Sequence, residues 1–299
     1  MLEYVSKNWL RLLLASRGSL SPGVPRRVLA FGLIATASAI YDRYAHTHLR
    51  LPVGLQEAGG AVVALVLAFR VNTAYARFWE GRLLWGGLVN AARSAVRVFV
   101  VHAKEDREVH DAFTKWVVVF AHATRLRVRD EPLAPDIAHL LPQSDVDAAA
   151  GAIHSPLYAA QRLSKLLEES LVQKRIDPIM AGRCERQIAA LVDTLGGIER
   201  IRLTPTPLGI VILIERFVAG FLATLPFALL GKAGVWTPLL TMLISYPVLM
   251  IDALGSELDD PFGHNANDLP LTRICRNIER DLLGAKPSSG PKAEVAQVD

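Results

Sequence analysis

The run LGIVILIERFVAGFLATLPFALLGKAGVWTPLLTMLISYPVLMIDALG, residues 208–255, decides the fold class. A helix needs about 20 apolar residues to cross the roughly 30 Å hydrocarbon core of a bilayer. Residues 208–230 and 236–254 each come close to that length, and the short linker 231–235 joins them. The charges inside them matter as much as the apolar residues. Glu215 and the adjacent Arg216 interrupt the first run, and Asp252 lies near the end of the second. A charge at the bilayer centre costs about 2.5–3.5 kcal/mol on insertion scales, so such side chains turn towards protein or water and find partners. These flawed spans predict a helical bundle. Within it Glu215 and Arg216 tie neighbouring helices together.

Two more apolar runs lie upstream, at 28–41 and 52–69, the latter clean from Gly59 to Phe69. The chain of 299 residues is 51% hydrophobic and 21% charged, values that alone do not separate soluble from membrane protein. The clustering does: apolar residues gather in four runs, while 70–205 reads as soluble helix. A charged amphipathic segment, 1–27, precedes the first run, so that run is expected to be a span and not a cleaved signal peptide. Lys7, Arg11, Arg17, Arg26 and Arg27 flank the first span. Arg70, Arg77, Arg82, Arg93 and Arg97 follow the second. The positive-inside rule then places both termini and the long central region in the cytoplasm.

The division expected along the chain is an N-terminal amphipathic segment (1–27), transmembrane helices 1 and 2 (28–69), and a cytoplasmic helical region (70–205). Transmembrane helices 3 and 4 (206–255), an acidic turn with a C-terminal helix (256–284) and a disordered tail (285–299) follow. In the central region Ile188, Leu191, Val192, Leu195 and Ile198 recur at spacings of three and four, one apolar face of a helix. Residues 117–121 are apolar but too short to span and read as core. Breaks are predicted at 131–135, near Pro142 and at 154–156. The tail is rich in Pro, Ser, Gly and Lys. Only two cysteines occur, Cys184 and Cys275, which form neither a disulfide framework nor a metal pair. The net charge of +4 is too small to argue for nucleic acid as a partner.

The motifs lie at the edges of the spans. The first is AFRVNTAYARFWEGR at 68–82, continuing LLWG at 83–86. The second is DDPFG at 259–263 with NDLPL at 267–271, and between them stand RIDPI at 175–179 and RIRLTPTP at 200–207. In order and spacing these resemble the bestrophin family, in its bacterial form, over nearly residues 20–284. The resemblance implies an all-α membrane protein with four transmembrane helices. It would assemble as a homopentamer around one central pore in the bacterial inner membrane, among membrane lipids. It implies a pore neck at Ala61, Leu65 and Phe69, and a cytoplasmic aperture at Ile179. The neck residues are four apart and so share a helix face. A narrow apolar ring of this kind gates by dewetting and needs no charged filter.

In eukaryotic relatives the stretch after the last span forms a calcium clasp. The matching residues here are Glu257, Asp260, Asn265 and Asp268, a candidate site for calcium or another divalent cation, with Asn265 standing where an acid is expected and His264 interrupting the acidic string. No cofactor is otherwise required. The family carries small monovalent ions of either sign. The short bacterial-type C-terminus leans the expectation to cations such as sodium, with a chloride channel as the alternative.

Other classes are weaker. No GxSxG, HExxH, P-loop or GxGxxG motif marks an enzyme. His102 and His110, eight residues apart, could share a helix face without forming a ligand pair. A secondary transporter would need a midplane site at broken helices, for which Pro226 and Pro247 are the candidate breaks. Glu80 is expected to pair with Arg77 and Arg82 at the membrane edge, beside Tyr75, Trp79 and Trp85.

Overall fold

A computed structural model of the chain describes residues 23–44, 50–104 and 106–284. The expected amphipathic segment lies outside these residues up to position 22, and so does the expected tail, 285–299. The described residues contain helices and no strand. In chain order the helices are α1 (Val24–Tyr44), α2 (Val53–His102), α3 (Arg107–Val128), α4 (Ala134–Ile137) and α5 (Gln143–Gly151). They continue with α6 (Ser155–Val172), α7 (Pro178–Leu203), α8 (Leu208–Ala233), α9 (Thr237–Asp259) and α10 (Leu271–Leu283).

Two stretches are long and apolar enough to cross a membrane, Val53–His102 and Leu208–Asp259, with mean hydropathy 1.4 and 2.0 over their most apolar windows. The second is two helices, α8 and α9, joined by a 3-10 turn over Gly234–Trp236. Gly234 turns there at φ 51°, a left-handed conformation that side chains disfavour. Pro226 and Pro247 sit inside continuous helices and break neither one. The first helix, α1, has 21 residues and the length to span, but it is not among the stretches that meet the apolar criterion.

The apolar half of α2 packs against α8 and α9, on which α1 also packs, around a small core of Val24, Val63, Leu67, Ile214, Val218, Leu222, Leu225 and Leu249. There is no break at residues 69 and 70. The helix runs on for 50 residues, roughly 75 Å at 1.5 Å per residue. Its second half enters a larger core with α3, α6, α7 and α10. Helix α3 is the centre of that core, and residues 117–121 are fully buried, as their apolar run predicts. Phe99 of α2 stacks on Phe113 of α3 at 4.0 Å between ring centroids. Ile188, Leu191, Leu195 and Ile198 form the buried face of α7, with Val192 half-buried beside them.

The predicted breaks become helix ends. Helix α3 stops at Val128, Pro142 starts α5, and His154 caps α6 by accepting the Leu157 N–H at 3.3 Å. His102 and His110 do not share a helix, because the chain leaves α2 after His102 and restarts at Asp106. That carboxylate caps α3 by accepting the N–H groups of Glu108 and Val109. Both cysteines are buried and unpaired, and burial pushes each thiol up to about 12, so neither is reactive.

Helix α10 is fastened to α3 by Glu279, whose carboxylate accepts from His122 Nε2 at 3.2 Å and from His139 Nε2 at 2.8 Å. The bond from His122, then that from His139, holds the Glu279 carboxyl down at about 2 against an ordinary 4.5. A folded-state value below the ordinary one contributes stability above about pH 4.5, which is lost as pH falls towards 2. Glu279→Gln is expected to destabilise the protein by about 1–3 kcal/mol at pH 7. In thermal melts the gap from wild type should close as the pH approaches about 2.

Candidate ion pathway and the charges around it

Along α2 the residues divide by face. Val63, Leu67, Ala74 and Phe78 are buried in the protomer, whereas Ala61, Leu65 and Phe69 are exposed on another side. Leu65 is 56% exposed and Phe69 63%, so neither belongs to the protomer core. Ile179 is 69% exposed at the first turn of α7. Its position is set by Asp177, which accepts the Ile179 N–H at 2.9 Å, and by Pro178, whose fixed φ suits a helix start. Ala61, Leu65 and Phe69, the expected neck residues, therefore come together on one face. Ile179 does not join them: it lies near the far end of α2, where the Lys104 N–H donates to the Arg175 carbonyl at 2.7 Å.

The residue after Phe69 is Arg70, and it lies in a cluster of charges. Arg70 bonds Asp252 of α9 and donates to Ser256 Oγ at 2.7 Å. Glu215 of α8 lies 3.8 Å from Arg70 and 3.6 Å from Arg27 of α1, and Arg27 is also 3.6 Å from Asp252. Two arginines and two carboxylates balance, and α1, α2, α8 and α9 each contribute one member. Glu215 thus ties helices together as expected, but its partners are Arg27 and Arg70; the neighbouring Arg216 is exposed. Asp252 is 1% exposed. Removing one member of such a buried pair strands the other and costs about 3–5 kcal/mol.

A second set of bonds lies one turn and more further along α2. Glu80 pairs with Arg200 of α7 at 2.5 Å and not with Arg77 or Arg82, because those two are engaged elsewhere. Arg77 reaches Asp259 at 3.0 Å and donates to the carbonyls of Ile201 and Thr204 at 2.9 and 2.7 Å. It thereby binds the ends of α7 and α9 to α2. Arg82 lies over the Trp79 ring at 5.9 Å from its centroid. Gly81 permits the next contact, since a Cβ there would stand 3.0 Å from the Phe262 ring.

Phe262 belongs to the acidic turn. Arg129, which caps the C-terminal end of α3, supports this turn from inside, donating to the carbonyls of Phe262 and Gly263 at 3.0 and 2.9 Å. Of the candidate cation ligands, Asp260 and Asp268 converge: a Cβ at Gly263 would lie 3.6 Å from the first carboxylate and 2.6 Å from the second. Glu257 instead accepts from Asn267 at 3.3 Å. Asn265 offers its backbone N–H to Asp268 at 2.7 Å, a donor where a cation needs an oxygen. Among the described residues no set of three or more acidic, histidine or cysteine side chains is arranged to hold a metal. The residues therefore fit a divalent cation only in part.

Burial, with Asp260 and Glu257 nearby, pushes the Asp268 carboxyl up to about 6. A folded value above the ordinary 3.8 means that the folded state holds its proton more tightly, so stability falls as pH rises from about 4 to about 6. Asp268→Asn is expected to flatten that part of the pH profile of the melting temperature and to raise it above wild type at pH 7.

Comparisons with known proteins identify the family. The family described as Bacterial/Fungal Bestrophin protein matches residues 1–284. A voltage-dependent anion channel-forming protein of Nostoc sp. is 33% identical over 287 residues, covering 92% of this chain and 91% of the relative. The voltage-dependent anion channel-forming protein YneE of Escherichia coli is 35% identical over 289 residues, 95% of this chain and 93% of that protein. A bacterial bestrophin homologue from Klebsiella pneumoniae superimposes with a TM-score of 0.82 at 30% identity, over 88% of this chain and 100% of that one. With matches that run nearly end to end in both sequence and fold, this chain belongs to the bacterial and fungal bestrophin family.

Proposed function

We propose that the chain forms a homopentameric channel in the bacterial inner membrane, with four spans per subunit, both termini cytoplasmic and one central pore. Small monovalent ions pass an apolar neck at Ala61, Leu65 and Phe69 and then the aperture at Ile179. The observation that carries this reading is the exposed apolar face of α2. Only 11% of the apolar window of α2 and 22% of that in Leu208–Asp259 is buried within the protomer. Exposure on this scale calls for lipid, neighbouring subunits or both. The neutral cluster of Arg27, Arg70, Glu215 and Asp252 supports the same placement, because it lets four charges lie beside the apolar layer at little cost.

The neck carries no charge and sets no sign for the ion. The names of the relatives favour anions, and we adopt that reading over the cation preference expected from the short C-terminus. A carrier is disfavoured by α8 and α9, which run unbroken through Pro226 and Pro247 where a midplane site would need broken helices. No cofactor is required; calcium or another divalent cation at the acidic turn would meet Asp260 and Asp268, with Glu257 held by Asn267.

A ring of Phe69 side chains narrows and dries the neck. Phe69→Ala is therefore expected to increase the current through purified protein in planar bilayers by several-fold at equal protein load. Unchanged conductance and gating would remove Phe69 from the pathway.

A further inference from the structure

An apolar neck sets no sign for the ion, so the sign has to come from charges elsewhere along the pathway. The first turns of α7, which carry Ile179, present such charges. Arg183 and Arg186 stand four and seven residues beyond Ile179, spacings that return a helix to the same face. Both are exposed, and neither has an ion-pair partner among the described residues. Arg183 reaches only Met180 Sδ, at 3.8 Å. Gly182 lies beside them, and a Cβ there would meet nothing within 4 Å, so this face of the helix is open.

The acids nearby are turned elsewhere. Asp177 directs its carboxylate to the N–H groups of Ile179 and Met180, at 2.9 and 3.4 Å. Glu185 lies between the two arginines in sequence, yet it accepts from Ser164 Oγ of α6 at 3.0 Å. Asp106 is held by Arg175 at 3.0 Å. Asp193 is exposed on the same side of α7, but it stands a further seven residues along, about 10 Å from Arg186. The charge left beside Ile179 is therefore positive.

We propose that Arg183, with Arg186 behind it, makes the cytoplasmic aperture selective for small monovalent anions. This rests on the reading of Ile179 as the aperture of a pentamer, in which the two side chains of each subunit form two rings on one side of the constriction. Four and seven residues are about 6 and 10.5 Å along a helix. The Debye length at physiological ionic strength is about 8 Å, so an ion at Ile179 feels Arg183 strongly and Arg186 less. Rings of arginine raise the local concentration of anions beside a barrier that is itself uncharged. Glu57 is exposed one turn before Ala61 and puts the opposite sign at the other end of the neck. The anion preference therefore has to arise at the cytoplasmic end.

The test is unitary-current recording of the purified full chain in planar bilayers, in symmetrical KCl at about 0.1 M and about 1 M, where the Debye length is about 10 and 3 Å. At the lower salt Arg183→Gln is expected to reduce the unitary conductance about threefold and Arg186→Gln less, with both near wild type at the higher salt. Under a KCl gradient the double substitution should move the reversal potential from the anion value towards zero. Arg183→Lys keeps the charge and should conduct like wild type. Both arginines are exposed, so the melting temperatures should not change. Equal conductance of wild type and Arg183→Gln at both salt concentrations would overturn the proposal and leave the channel in place. A loss of the same size at both concentrations, or one that Arg183→Lys shares, would make the role of Arg183 steric and overturn it as well. A wild type without unitary currents would remove the channel reading, and the role of the arginines with it.

Discussion

Helix α2 must satisfy two solvents along one unbroken backbone. Up to Phe69 its surroundings are apolar, and from Arg70 onward the sequence alternates buried aliphatic or aromatic residues with arginines. A change of solvent is where a helix ordinarily ends. Here it continues, because every arginine near the transition that faces protein has an acceptor: Arg70 has Asp252 and Ser256, and Arg77 has Asp259 and the carbonyls that end α7. These bonds hold α8 and α9 in register with α2, and so they fix which side of α2 is left for Ala61, Leu65 and Phe69.

The energetic logic differs between the two halves. In the larger core, Trp85, Phe99, Phe113 and Phe120 are fully buried, and the hydrophobic effect does most of the work. In the apolar half the core is small, and lipid tails are as apolar as leucine, so burial adds little drive there. The balanced cluster of Arg27, Arg70, Glu215 and Asp252 is the stronger constraint in that setting. It joins α1, α2, α8 and α9 through ion pairs, with the Arg70–Asp252 hydrogen bond at their centre.

Much of this was legible in the sequence, and the parts that were not share a cause. The apolar runs located the helices, and Pro142 and His154 marked real helix starts, because hydrophobic spacing and proline chemistry are local. The run 117–121 was legible as core for the same reason. Partner choice was not. Glu80 has arginines on either side in sequence, yet it bonds Arg200, more than a hundred residues away, and Glu215 passes over the adjacent Arg216. Neighbouring residues on a helix point in different directions, so adjacency in sequence is a poor guide to pairing. Continuity through Pro226 and Pro247 was likewise hidden, since tertiary packing decides whether a proline ends a helix or merely sits in it. Glu215 and Asp252, acids set in apolar runs, were the visible clues to the cluster.

The claim at the centre of this account is that ions cross at the exposed apolar face of α2. The most direct measurement is the reversal potential of the purified protein in a planar bilayer under a salt gradient, with unitary currents resolved. Resolved unitary events reversing near the anion equilibrium potential are the predicted result. Saturable flux without unitary events would contradict the channel, and reversal near the cation value would contradict the anion reading while leaving the pathway in place.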